Sequence, residues 1–282
     1  MDKLLKWSIA QQSGDQDAIN KMGQPDPKML HQLFGGPDEP TLMKHSMAAI
    51  CNEETTEQNK EIAFENFEML IENMDNANNI ENLNLWPSLI EQLAEDKPAI
   101  QRVYAASCIG ISVQNNPKAQ DDFSKHDGLS KLINICSDTN SPDDLLAKSL
   151  FAISSYIRNF KPGYEQFVKE NGWDIIRIPE DNHKLTLRVL SLVSAVLSNG
   201  LDKKSEDRIH EDKIIERLTL LMKSDGHIGC IDKILSITSQ LSLLHYEFSS
   251  TEIAELSNGL ENIKVLEPQL NEDYHSVKKI LS

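Results

Sequence analysis

An all-α solenoid, a right-handed stack of about four to five helical repeats behind a flexible N-terminal segment, is the fold that this sequence predicts. Three observations carry the prediction. Strand signals are scarce, whereas apolar residues recur at helical spacing along most of the 282 residues. A triplet of aliphatic residue, any residue and asparagine returns as Ile71-Glu72-Asn73, Val113-Gln114-Asn115, Ile157-Arg158-Asn159 and Leu197-Ser198-Asn199. The aliphatic members lie 42, 44 and 40 positions apart, a period that belongs to stacked helical repeats.

Taken in chain order, the first element is residues 1–24. "QQSGDQDAINKMGQPDP" is rich in Gln, Asp and Gly and poor in large apolar side chains, the composition of a disordered linker. Ahead of it Leu4, Leu5, Trp7 and Ile9 form a short apolar stretch, too short to be stable as a free helix. It reads as a mobile peptide for something else to bind. Residues 25–54 read as capping helices. Asp26 is placed to be an N-cap and Pro27 a first helical residue; Met29, Leu30, Leu33 and Phe34 form an apolar set, and Gly35, Gly36 and Pro37 stop the helix. Pro40 opens the next helix, with Met43, Met47 and Ile50 facing inward.

Residues 55–282 read as the repeat domain. Thr55 and Gln58 have the spacing of a capping box before a helix carrying Ala63, Phe67, Leu70, Ile71 and Met74. Four residues before each aliphatic of the triplet stand Phe67, Ile109, Ile153 and Val193, and seven before stand Phe64, Ala106, Leu150 and Leu190. Each unit thus has one apolar helical stripe. Pro117 and Pro162 break the chain after two long helices, and Phe123, Gly128 and Leu129 recur as Phe167, Gly172 and Trp173. A fifth copy at Ile234, Ile237 and Leu241 has Leu243 in place of the asparagine, as suits a terminal repeat. The period and the helical content together define an armadillo/HEAT-like solenoid.

Charge and motif searches exclude more than they identify. Lys+Arg 28 against Asp+Glu 44 gives a net charge of −16, which repels phosphate backbones and anionic lipid, so neither nucleic acid nor membrane is expected as a partner. The longest nearly apolar run, "VLSLVSAVL", falls short of a membrane span, and the N-terminus lacks a signal-peptide core. Cys51, Cys108, Cys136 and Cys230 form no CxxC and read as reduced thiols of a cytoplasmic protein. No nucleotide-binding, hydrolase or zinc-protease motif is present. His126 reads as a solvated or capping loop residue, and the acidic "QDD" at 120–122 and "SPDD" at 141–144 as charges at helix starts. No cofactor, metal or catalytic residue is therefore expected. The repeated asparagines read as helix terminators, since asparagine tolerates the left-handed conformation; the turn before them lacks the tryptophans of armadillo proteins that bind extended peptides.

Three stretches go further. "LLKWSIA" at 4–10, "PDPKMLHQLFGGPDEPTLMK" at 25–44 and "NFEMLIENMDNANNIENLNLW" at 66–86 resemble the fungal Fes family of nucleotide exchange factors for the cytosolic seventy-kilodalton heat-shock chaperone, whose animal counterpart is the heat-shock-70 binding protein. The resemblance implies a monomeric co-chaperone that binds the chaperone's ATPase domain, opens its nucleotide cleft and so releases ADP and bound polypeptide. It also implies that Leu4, Leu5, Trp7 and Ile9 act as a pseudo-substrate. Ala77, expected at a helix end, and with it Asn76, Asn78 and Asn79 are expected to meet the chaperone, because this junction departs from the repeat. Arg188 matches a basic position of the family and is expected there to bind the chaperone through a carboxylate; on spacing alone it is an ordinary solvated helix charge. A general armadillo scaffold for an extended peptide is the alternative reading.

Overall fold

The repeat domain is built by pairing each long apolar stripe with shorter helices that cover its far side. The computed structural model describes residues 37–179 and 181–281. Among them are α1 Glu39–Cys51, α2 Glu57–Ile71, α3 Met74–Asn82, α4 Trp86–Glu91, α5 Ala99–Val113, α6 Pro117–Phe123, α7 Gly128–Ser137 and α8 Asp143–Ile157. There follow α9 Lys161–Lys169, a 3-10 turn at Gly172–Ile175, α10 His183–Leu197, α11 Lys203–Glu211, α12 Ile214–Thr219, α13 Ile228–Leu243, α14 Ser250–Ile263, a 3-10 turn at Lys264–Gln269 and α15 Asp273–Ile280. No strand occurs among the described residues. The expectations for residues 1–36, including Leu4, Leu5, Trp7 and Ile9, lie outside them.

The long helices α1, α2, α5, α8, α10 and α13 pack side by side in chain order, with α15 against α13 at the end. Shorter helices form the other layer. The predicted stripe is the core: Phe64, Phe67, Ala106, Ile109, Leu150, Ile153, Leu190 and Val193 are all buried, as are Met43, Met47 and Ile50 of α1. Met74 is the exception. It falls after the end of α2 and is exposed. The repeated Phe and Gly positions also have one structural cause. A Cβ on Gly128 would stand 2.4 Å from the Phe123 ring, and one on Gly172 would stand 2.3 Å from Phe167, so both rings lie flat on bare backbone.

Helix ends depart from the predicted pattern in instructive ways. Asn115 and Asn159 adopt the left-handed conformation two residues past their helices, as expected. After α10 that geometry moves to Gly200, and after α13 to His245, whose following residue Tyr246 donates its N–H back to the Leu241 carbonyl at 3.0 Å. Asn73 is different again: its side chain accepts from Asp75 N–H and caps α3. The predicted cap at Thr55 also shifts by one residue. Asn52 closes a turn on Glu54 and Thr55, which leaves Thr56 to receive the Asn59 N–H.

The acidic run at 120–122 does not begin a helix, because α6 is short and the run occupies its second half. Burial pushes the Asp122 carboxyl up, but Lys118 at 2.9 Å and Lys125 at 2.8 Å outweigh it and hold it below its ordinary range. Gln120 has a structural role: it is buried, and its Nε2 donates to the carbonyls of Ser155 at 3.0 Å, Tyr156 at 2.9 Å and Arg158 at 3.1 Å, at the end of α8 in the next repeat. Asp143 and Asp144 do lie in the first turn of α8. Cys108, Cys136 and Cys230 are buried and Cys51 is exposed; burial pushes the Cys136 thiol up to about 12.

Gln120→Leu keeps the volume and leaves those carbonyls unsatisfied. It is expected to lower the free energy of unfolding by about 1–3 kcal/mol in urea titrations, and an unchanged midpoint would mean that water satisfies the α8 terminus instead.

Candidate binding surface

The asparagine-rich junction folds into α3, and most of its polar side chains are consumed internally. Asn76 is 3% exposed; its Nδ2 donates to Glu39 Oε2 at 2.8 Å and to the Leu70 carbonyl at 2.9 Å, tying α1, α2 and α3 together. Ala77 is also 3% exposed. It lies inside α3, which packs against α1, α2, α5 and α6, and not at a helix end. The expectation of an open small-residue position is therefore corrected: the small side chain serves internal packing. Asn78 and Asn79 are half-buried. The Asn78 carbonyl accepts from Lys118 Nζ at 3.3 Å while its side-chain oxygen has no partner, and Asn79 accepts from Asn82. Asn84 takes the left-handed conformation that ends α3. His126 is not simply solvated, because its Nε2 meets Glu81 Oε2 at 3.0 Å across the junction.

Arg188 sits in α10, on the open face of the long-helix layer. It is half-exposed, and its guanidinium lies 5.0 Å from the centre of the Phe151 ring on α8. The ring approaches the backbone of α5 so closely that a Cβ on Gly110 would be 2.5 Å from it. Arg188 is thereby held on a fixed platform with no carboxylate partner among the described residues. Sequence reasoning missed three further cations of the long-helix layer, Lys148, Arg158 and Lys233. Arg158 occupied the unassigned middle position of the repeated triplet, which was the available signal. Lys148 Nζ donates to Ser107 Oγ at 3.0 Å, and Arg158 Nη2 donates to the Ser191 carbonyl at 3.0 Å.

The same face is acidic at its other end. Glu65 accepts from the Tyr104 hydroxyl and Glu68 from Ser107, both from α2 to α5. Burial first, and Glu65 second, push the Tyr104 phenol up. The face thus runs from carboxylates on α2 to cations on α8, α10 and α13. Among the described residues no cluster of His, Cys, Asp and Glu is arranged to hold a metal ion, and no helix is long and apolar enough to cross a membrane.

A layer of parallel long helices displaying charge, backed by short helices, defines a recognition solenoid of the armadillo class. Solved designed armadillo repeat proteins agree. One, YIII(Dq.V1)4CPAF in complex with peptide (KR)4, superposes with a TM-score of 0.66 at 11% identity over 87% of this chain and 98% of its own. Another, YIII(Dq)4CqI, gives 0.65 at 11% identity over 86% and 98%. At that identity the likeness is one of fold. Within the class, residues 1–80 match the family model "Nucleotide exchange factor Fes1", and residues 76–223 match "SIL1/FES1/HPBP1 C-terminal domain". Curated relatives called "Hsp70 nucleotide exchange factor FES1" are 58% identical in Debaryomyces hansenii, 60% in Scheffersomyces stipitis and 45% in Saccharomyces cerevisiae, each over the whole of both chains. The chain belongs to the Fes1 family.

Because Ala77 faces the interior, Ala77→Arg is expected to cost about 1–3 kcal/mol through overpacking, with a lower melting temperature by circular dichroism. A wild-type melting temperature would restore an outward-facing Ala77.

Proposed function

We propose that this protein is a nucleotide exchange co-chaperone that binds the ATPase domain of the cytosolic seventy-kilodalton heat-shock chaperone and promotes release of ADP, and with it of bound polypeptide. The observation that carries the proposal is the end-to-end relationship to proteins called Hsp70 nucleotide exchange factor FES1. It acts as a cytoplasmic monomer in this reading, and none of its side chains performs chemistry. The requirement is energetic: the long-helix face binds the open, nucleotide-free arrangement of the ATPase lobes more tightly than the closed, ADP-bound one. The difference in binding free energy is what opens the cleft. By reciprocity, ADP weakens binding of the factor to the same extent.

Arg188 is the proposed anchor, since its guanidinium is already positioned by Phe151 and loses little freedom on meeting a carboxylate. Asn78 and Asn79 are proposed as contacts at the first junction, whereas Asn76 and Ala77 support that junction from within. The alternative, a scaffold for an extended peptide segment of a partner, is disfavoured by the end-to-end relationship to exchange factors; for a basic peptide, Lys148, Arg158, Arg188 and Lys233 would in addition repel its Lys and Arg side chains along α8, α10 and α13. A tryptophan wall is also lacking there.

Stopped-flow release of a fluorescent ADP from the chaperone tests the proposal. Wild-type protein is expected to accelerate release, and Arg188→Ala to reduce the acceleration by tenfold or more with helicity intact; no acceleration by wild type would overturn the function. The N-terminal residues Leu4, Leu5, Trp7 and Ile9 are proposed to act as pseudo-substrate. Deleting residues 1–24 is then expected to preserve ADP release while slowing discharge of a model polypeptide, and unchanged discharge would overturn that role.

A further inference from the structure

One group on the long-helix face has no internal explanation. Lys233, on α13, is half-buried, yet it makes no hydrogen bond or ion pair with any described residue. Its surroundings make matters worse for a cation. Burial pushes its ammonium below the ordinary lysine range and the Arg158 guanidinium adds to this, with Asp273 giving only a partial offset. Arg158 is itself half-buried and lowered by burial, and its guanidinium has one hydrogen-bond partner among the described residues, a neutral acceptor, the Ser191 carbonyl of α10.

Carboxylates are not scarce in this protein, which carries 44 of them. Cations elsewhere find them readily: Lys118 and Lys125 share Asp122, Lys203 meets Glu206 and Asp207, and Arg208 meets Asp174 and Asp212. Around Ser191 the pattern reverses. Arg188 stands one turn before Ser191 on the same helix, Arg158 reaches the Ser191 carbonyl from the C-terminal end of α8, and Lys233 on α13 is close enough to Arg158 for the two charges to repel. None of the three has an ion pair among the described residues. Two cations such as Arg158 and Lys233, both partly desolvated and the second repelled by the first, cost stability unless an anion arrives to complete them.

We propose that Arg158 and Lys233, together with Arg188, form a carboxylate-binding cluster that reads an acidic patch on a folded protein partner. The occupant is committed by charge. A free polyphosphate or nucleic acid meets the field of a chain with net charge −16 and is repelled at a distance, whereas a local patch of Asp and Glu on an otherwise mixed surface is not. Three cations spread over α8, α10 and α13 span neighbouring repeats, so they match carboxylates set on a surface better than a single ion. The inference rests on the exchange-factor reading, and there it places carboxylates on the face of the ATPase domain that meets this part of the solenoid. The cluster is an arrangement in which stability is exchanged for recognition.

The test uses the full-length protein and the isolated ATPase domain, with affinities measured calorimetrically at low and moderate salt. Lys233→Glu is expected to weaken binding by tenfold or more and to flatten the salt dependence. Lys233→Met, which removes the repulsion without a new charge, is expected to weaken binding while holding or raising the melting temperature. Lys203→Met, which removes a lysine that already has partners, is expected to bind as wild type. If wild type binds and Lys233→Glu binds equally well, the cluster is overturned and the exchange function stands. If wild type neither binds nor accelerates ADP release, both fall together. Binding of single-stranded DNA by wild type that Lys233→Glu abolishes would overturn the acidic protein partner.

Discussion

The way one repeat satisfies the last carbonyls of the next sets the geometry of the whole stack. A long helix ends with carbonyls that lack intrahelical partners, and at the end of α8 they are covered by side chains of the neighbouring repeats. Gln120 answers for α8, giving its side-chain amide to three carbonyls in the Ser155 to Arg158 turn. Asn199 answers from the other side with a 2.8 Å bond to the Ile157 carbonyl, and Ser198 receives the Asn159 N–H at 2.9 Å. Directional bonds at this junction fix how far α8 and its neighbours can slide or turn, which the apolar stripes alone would leave loosely specified. Because the long helices are registered in this way, side chains from α8, α10 and α13 can meet on one face.

Much of the fold was legible because a repeat states its core several times over. The Phe64 and Phe67 positions, with their counterparts at 106 and 109, 150 and 153, and 190 and 193, were readable from spacing and are buried. What depended on partners distant in sequence was not readable. Ala77 looked like an open position because a small residue among asparagines gives no local sign of burial; the helices that cover it come from both sides of the sequence. Gln120 looked like part of an acidic helix start because the length of α6 is set by Pro117 and by the turn at Ser124, not by charge. The asparagine series was right at 115 and 159 but moved to Gly200 and His245, where one more residue of helix or a different turn residue met the same backbone need.

The functional face was legible only in part, for a related reason. Arg188 stood out through family likeness, yet what positions its guanidinium is Phe151, a contact between adjacent repeats. Arg158 and Lys233 drew no notice because single cations on helices are ordinary; what sets them apart is that they lie near each other with no ion pair among the described residues of an acidic protein. The asparagines between Asn73 and Asn84 divide likewise. Asn73, Asn76 and Asn84 cap, tie and terminate α3, leaving Asn78 and Asn79 nearer the surface. Structure thus assigns much of that polar richness to building the first junction.

An exchange factor is defined by preferring one state of its partner, and that preference is measurable without following turnover. The most direct measurement is the dissociation constant of this protein for the chaperone's ATPase domain with saturating ADP and without nucleotide, paired with the dissociation constant of ADP with and without this protein. The two ratios must be equal and greater than one if the long-helix face selects the open cleft. Equal affinity for the ADP-bound and nucleotide-free domain would contradict it, since a partner that binds both states alike shifts neither.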